Sequence, residues 1–137
     1  MIGSSSAFLG AFIGSFVFSL IIGPLDDAYR LYPDDMAMWW LYSVPAGAIF
    51  GSITGLVLGL AAEKKDKAAA SMGITSGLGL ALFHLMVLLD AMHRSSPLFT
   101  QAATTAYAYA RCGPGLLWAC LIFAFGLRCY KSSRTPT

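Results

Sequence analysis

The stretch GAIFGSITGLVLG, residues 47–59, carries four glycines one helical turn apart and no charge. On a helix, Gly47, Gly51, Gly55 and Gly59 fall along a single stripe. In a water-soluble helix each glycine is worse than alanine by about 1 kcal/mol, so this ladder makes a poor soluble helix. In lipid, a stripe without Cβ atoms lets a second helix backbone approach closely. The stretch therefore predicts a membrane-spanning helix built for tight helix contact.

The sequence around it agrees. Of the 137 residues, 57% are apolar and only 12% charged, about half the charged share of ordinary soluble domains. Mean hydropathy is +0.67. A span needs roughly 20 apolar residues, and four candidates meet or approach this: 2–23, 36–62, 68–89 and 112–128. The first is predicted to stop at Gly23-Pro24. It lacks a Lys/Arg n-region and reads as a retained span rather than a cleaved signal. The fourth is short between Arg111 and Arg128, with Pro114 suited to its first turn. Before it, Ser96-Pro97 reads as a helix start. Leu98, Phe99, Ala102, Ala103, Ala106, Tyr107 and Ala110 then recur at helical spacing. This predicts a short interfacial helix over 97–111, ended near Gly113. The fold expected is all-α: a polytopic membrane protein, one domain over 1–137, with four transmembrane helices packed through small residues.

With four spans, the N-terminus, the 63–67 connection and the C-terminal tail share one side. That side carries six Lys/Arg (Lys64, Lys65, Lys67, Arg128, Lys131, Arg134) against three on the other (Arg30, Arg94, Arg111). The positive-inside rule then places both termini in the cytoplasm, in a bacterial inner membrane or an equivalent energy-conserving one. Trp39, Trp40 and Tyr42 would form an aromatic belt at the opposite boundary. The EKKDK turn is short enough only to join two antiparallel helices.

Small residues recur in other spans. Gly10 and Gly14 lie in GAFIG, and Gly73 and Gly77 in GITSG. Each pair makes a small-xxx-small stripe for contact within the chain, with another chain, or both. Pro45 predicts a kink, because it cannot donate to the Leu41 carbonyl.

His84 is the one ionisable side chain well inside a span. It lies seven residues from Gly77 and eleven from Gly73, so it shares their helix face and points toward protein. Burial disfavours the charged form, and a neutral imidazole bonded to a hydroxyl or carbonyl of a neighbour is expected, with Tyr42 and Ser43 at comparable depth. Intramembrane ionisable residues also invite a functional reading, as a cofactor or pigment ligand or in proton or solute handling. His93 lies on the opposite face, so the two cannot ligate one iron. Asp90 and Arg94, at i, i+4, suit a surface pair.

The most distinctive polar segment is LDDAYRLYPDD. Asp26, Asp27, Tyr29, Arg30, Tyr32, Asp34 and Asp35 make it a candidate docking loop or a solvated turn. Its carboxylates lack the spacing and glycine of a calcium loop.

Cys112, Cys120 and Cys129 form no CxxC, zinc or haem-attachment pattern. There is no HExxH, GxSxG or Walker loop, and the spans lack the carboxylate of an ion-coupled carrier. Net charge is only +2 and no Arg/Lys cluster is interleaved with aromatics, which argues against nucleic-acid binding. No metal or cofactor is required, although a bound lipid or pigment is compatible. Two functions remain: a non-catalytic accessory subunit of a larger membrane assembly, with membrane lipids and other subunits as partners, or a homo-oligomeric channel or small transporter, with Thr54 or Ser52 facing a pore.

Overall fold

A computed structural model describes the backbone of residues 2–28, 36–93 and 101–134, and the side chains of 2–21, 43–90, 93, 109 and 112–134. These residues form four helices: α1 (Ile2–Ala28), α2 (Met36–Ala62), α3 (Asp66–His93) and α4 (Gln101–Ser132). Each contains an apolar run long enough to cross a bilayer: Ile2–Ile21, Ser43–Ala62, Asp66–Asp90 and Cys112–Ser132. Helices are the expected solution, because lipid offers no partner for a free backbone group.

Two expected boundaries differ. α1 does not stop at Gly23-Pro24 but runs to Ala28, so Asp26 and Asp27 belong to its last turn rather than to a loop. A proline near a helix end forfeits one intrahelical bond yet keeps a helical φ. Nor does a separate helix end near Gly113: residues 101–132 are one helix with Pro114 inside it. Pro114 removes one N–H from that ladder, which a helix packed against a neighbour tolerates. The expected start at Ser96-Pro97 lies outside the described residues, as do the side chains of Trp39, Trp40 and Tyr42. α2 is continuous through Pro45.

The helices form two tight hairpins, α1 with α2 and α3 with α4, and the hairpins touch each other much less. Within each pair the backbones approach closely at glycines. A Cβ built on Gly51 would fall on the Gly10 backbone, and one on Gly47 would fall on Gly14. A Cβ on Gly55 would lie 2.8 Å from the Ala7 Cα, and one on Gly59 would strike Gly3. Each turn forward along α1 meets one turn backward along α2, as antiparallel helices require. Ser19 and Ser43 continue this register with hydroxyls 3.3 Å apart. In the second hairpin, a Cβ on Gly73 would come within 2.9 Å of the Gly126 Cα, and one on Gly77 within 2.9 Å of the Ala119 carbonyl oxygen. Ala119 is fully buried.

The short connection therefore links the two hairpins rather than defining a tight pair. It closes α2 with a Schellman motif. Lys65 N–H donates to the Leu60 carbonyl (2.9 Å) and Lys64 N–H to the Ala61 carbonyl (3.0 Å). Lys64 occupies the left-handed position, with φ 57°. The same turn, which joins the end of α2 to the start of α3, also holds the start of α1 and the end of α4. Gly3 N–H at the start of α1 donates to the Glu63 carboxylate (3.0 Å), and Ser132 Oγ at the end of α4 donates to Asp66 (3.3 Å).

Candidate functional site

The place where all four helices converge is the junction around Phe50 and His84. α2 turns its glycine face to α1 and the neighbouring face, with Phe50, Thr54 and Val57, to the second hairpin. Phe50 stacks on Phe18 of α1 at 5.8 Å between ring centroids and meets the His84 ring edge-on at 5.1 Å. Ala46, Leu80 and Trp118 close around the two phenylalanines. Below this cluster, Trp118 Nε1 of α4 donates to Thr54 Oγ1 of α2 (2.7 Å), and Thr54 Oγ1 donates to its own helix at the Phe50 carbonyl (2.8 Å).

His84 is buried, as its alignment with Gly73 and Gly77 implies, and of the hydroxyl or carbonyl expected as its partner it meets a carbonyl, one on its own helix. Nδ1 lies 2.9 Å from the Leu80 carbonyl, one turn back on its own helix. A ring nitrogen facing a carbonyl carries a proton, so Nδ1 donates to Leu80. The Ser43 hydroxyl is engaged instead by Ser19, and the Tyr42 side chain is outside those described. Nε2 points at α4, where a Cβ on Gly115 would overlap it. Phe83 flanks the ring at 5.4 Å. The nitrogen that a metal centre would need is thus packed against a helix backbone. His93 is exposed, with Nδ1 2.8 Å from the Leu89 carbonyl. Among the described residues no group of three His, Cys, Asp or Glu is placed to hold a metal.

The remaining candidates are distributed. Gly10, Gly14, Gly47, Gly51, Gly55 and Gly59 lie at the α1–α2 contact, and Gly73 and Gly77 at the α3–α4 contact. Asp26 and Asp27 end α1, while Tyr29, Arg30, Tyr32, Asp34 and Asp35 lie outside the described residues, as does Arg94. Thr54 lines an apolar groove of about 460 Å³ between α2 and α4, with Val57, Leu58, Trp118, Leu121 and Phe125.

Sequence reasoning missed several residues. Gly115, Ala119 and Gly126 form the small face of α4, and the spacing of Gly115 and Ala119 is the same small-xxx-small signal found elsewhere. Gly3 and Glu63 extend the α1–α2 register by one turn; Glu63 lies four residues beyond Gly59, on the same stripe. A hydrogen bond from Lys65 (N···O 2.7 Å), together with that from Gly3 N–H, holds the Glu63 carboxyl down at about 2. Comparison with known protein families, curated proteins and solved structures gives no match.

Proposed function

We propose that this chain is a non-catalytic integral membrane subunit with a structural role in a larger membrane assembly. In this reading the GxxxG stripes fasten the chain's own hairpins, and the outer faces meet lipid and partner subunits. The observation that carries it is where polar chemistry is absorbed. The buried polar side chains among the described residues are Ser19, Ser43 and His84, and each has a partner inside the chain. The outward surface is apolar: Phe8, Phe12 and Phe16, one turn apart on α1, are 78%, 70% and 60% exposed. α1 is also the most peripheral span, with 17% of its window buried against 33% for α2.

A self-associating channel draws less support. Its natural site is the α2–α4 groove, which is lined by apolar side chains, and the Thr54 hydroxyl there is bonded to Trp118 and Phe50. By the six-to-three Lys/Arg count we assign both termini to the cytoplasm. A 32-residue α4 is roughly 48 Å long at 1.5 Å per residue, beyond the hydrocarbon core of about 30 Å. We assign its start, residues 101–111, to the opposite interface.

Solubilisation of native membranes in mild detergent, followed by native mass spectrometry, tests the assignment. Reproducible co-purification with other membrane polypeptides is expected. A chain that emerges only as a monomer or homo-oligomer contradicts it.

A further inference from the structure

At the end of the bundle where α1 starts and α4 ends, a cleft of about 550 Å³ opens between the start of α3 and the end of α4. Its lining changes character with depth. At the mouth stand Lys67 and Arg134, the latter folded back with its guanidinium 4.5 Å from the centroid of the Tyr130 ring. Ser71, Ser133 and Thr75 supply hydroxyls, and Ala70 and Ile74 supply an apolar wall. Ile74 is seven residues along α3 from Lys67, hence roughly 10 Å deeper at 1.5 Å per residue. Lys67 lies at the start of the span Asp66–Asp90, and Arg134 just past the end of Cys112–Ser132. The two cations therefore stand at headgroup level and the apolar wall at acyl level. Among the described residues the lining holds no carboxylate: Asp66 borders the adjoining depression with Lys64 and Lys65, where it accepts from Ser132.

We propose that this cleft is a binding site for an anionic phospholipid of the leaflet at this end. The phosphate sits between Lys67 and Arg134, the ester region faces Ser71, and an acyl chain runs along Ile74. Paired cations bind phosphate by charge-assisted hydrogen bonds. Basic clefts between transmembrane helices are a general solution for anionic headgroups. The apolar floor selects a lipid over a free anion, which would leave that surface uncovered. Arg134 lies over the Tyr130 ring at the mouth, a cation–π contact that holds its guanidinium beside the cleft.

The test is lipid binding to the purified full-length protein in detergent, read by native mass spectrometry with phosphatidylglycerol, phosphatidylcholine and inorganic phosphate. Phosphatidylglycerol is expected to bind in preference to phosphatidylcholine, with no competition from millimolar inorganic phosphate. Lys67→Gln with Arg134→Gln is expected to weaken phosphatidylglycerol binding by roughly tenfold or more, as loss of two surface cations implies. Lys131→Gln, at the same end of α4 but outside the cleft lining, is expected to leave it within about twofold. Equal binding of the two lipids, displacement by phosphate, an unaffected double variant or an equal loss in Lys131→Gln each overturns the proposal. Thermal unfolding of every variant without added lipid separates loss of the site from loss of fold.

Discussion

At the residue scale, His84 shows how a buried imidazole is satisfied without leaving its own helix. Its Nδ1 shares the Leu80 carbonyl, which in an α-helix already accepts the His84 backbone N–H. Removing the imidazole therefore orphans no buried acceptor. His84→Leu is expected to cost within about 1 kcal/mol, and His84→Gln less. Gly115→Ala is expected to cost more, about 1–3 kcal/mol, because the new methyl overlaps Nε2 and the ring is wedged between Phe50 and Phe83. Thermal unfolding in one detergent ranks the variants, and a His84→Leu more damaging than Gly115→Ala contradicts this account of the site. Glu63 gives a pH prediction. Its carboxyl is held down at about 2, first by Lys65 and then by Gly3 N–H, against an ordinary value of 4.5. A depressed carboxyl contributes stability that is full above its unfolded value and lost as pH falls toward the folded one. Stability is thus expected to decline between pH 4.5 and 2, and Glu63→Gln to flatten that window. Identical acid profiles for the two proteins would remove Glu63 from the account.

At the element scale, glycines of similar sequence context have opposite consequences. A Cβ on Gly51 falls on the Gly10 backbone, whereas one on Gly79 meets nothing within 4 Å. Gly51→Ala is expected to destabilise by about 1–3 kcal/mol through overpacking. Gly79→Ala is expected to stabilise by up to about 1 kcal/mol through helix propensity alone. Equal effects at both positions would mean that α1 does not sit on the ladder. Lys64 is a third case. Its φ of 57° is strained for a residue with a Cβ, by about 1–2 kcal/mol, so Lys64→Gly is expected to raise the unfolding temperature. These differences mark where the sequence was readable. The bounds of α2 and the position of Gly47, Gly51, Gly55 and Gly59 follow from hydropathy and spacing. The identity of the helix facing that stripe does not, because a Cβ-free groove says that something approaches and not what. Connection length pointed to α2 against α3, but backbone approach at glycines pairs α2 with α1. Pro24 and Pro114 read as boundaries because soluble rules treat proline as a breaker. Here both lie within continuous helices.

At the scale of the whole molecule, the described residues form two closely knit hairpins joined by a short turn and by two packed clusters, one around Phe50 and one where Leu60 and Ala61 meet Ala69, Ala70 and Cys129. The junction around Phe50 is small: Phe18, Phe50, His84 and Trp118, with the hydrogen bond from Trp118 of α4 to Thr54 of α2. Trp118→Phe removes that bond and leaves the hairpins intact. It is expected to lower stability by about 1 kcal/mol while leaving contacts within each hairpin unchanged, as cross-linking within each hairpin would report. The His84 face was legible from its alignment with Gly73 and Gly77. The junction was not, since Phe50 and Trp118 are ordinary apolar residues until the helices are assembled. The central claim is that the glycine stripe of α2 is covered by α1 of the same chain, which leaves outer faces for partners. Its most direct test is disulfide formation between Ser19→Cys and Ser43→Cys, whose hydroxyls are 3.3 Å apart, in a variant with Cys112, Cys120 and Cys129 replaced by serine or alanine. Oxidation is predicted to cross-link the two positions within a monomer. A cross-linked dimer, or no cross-link in a folded protein, would contradict it.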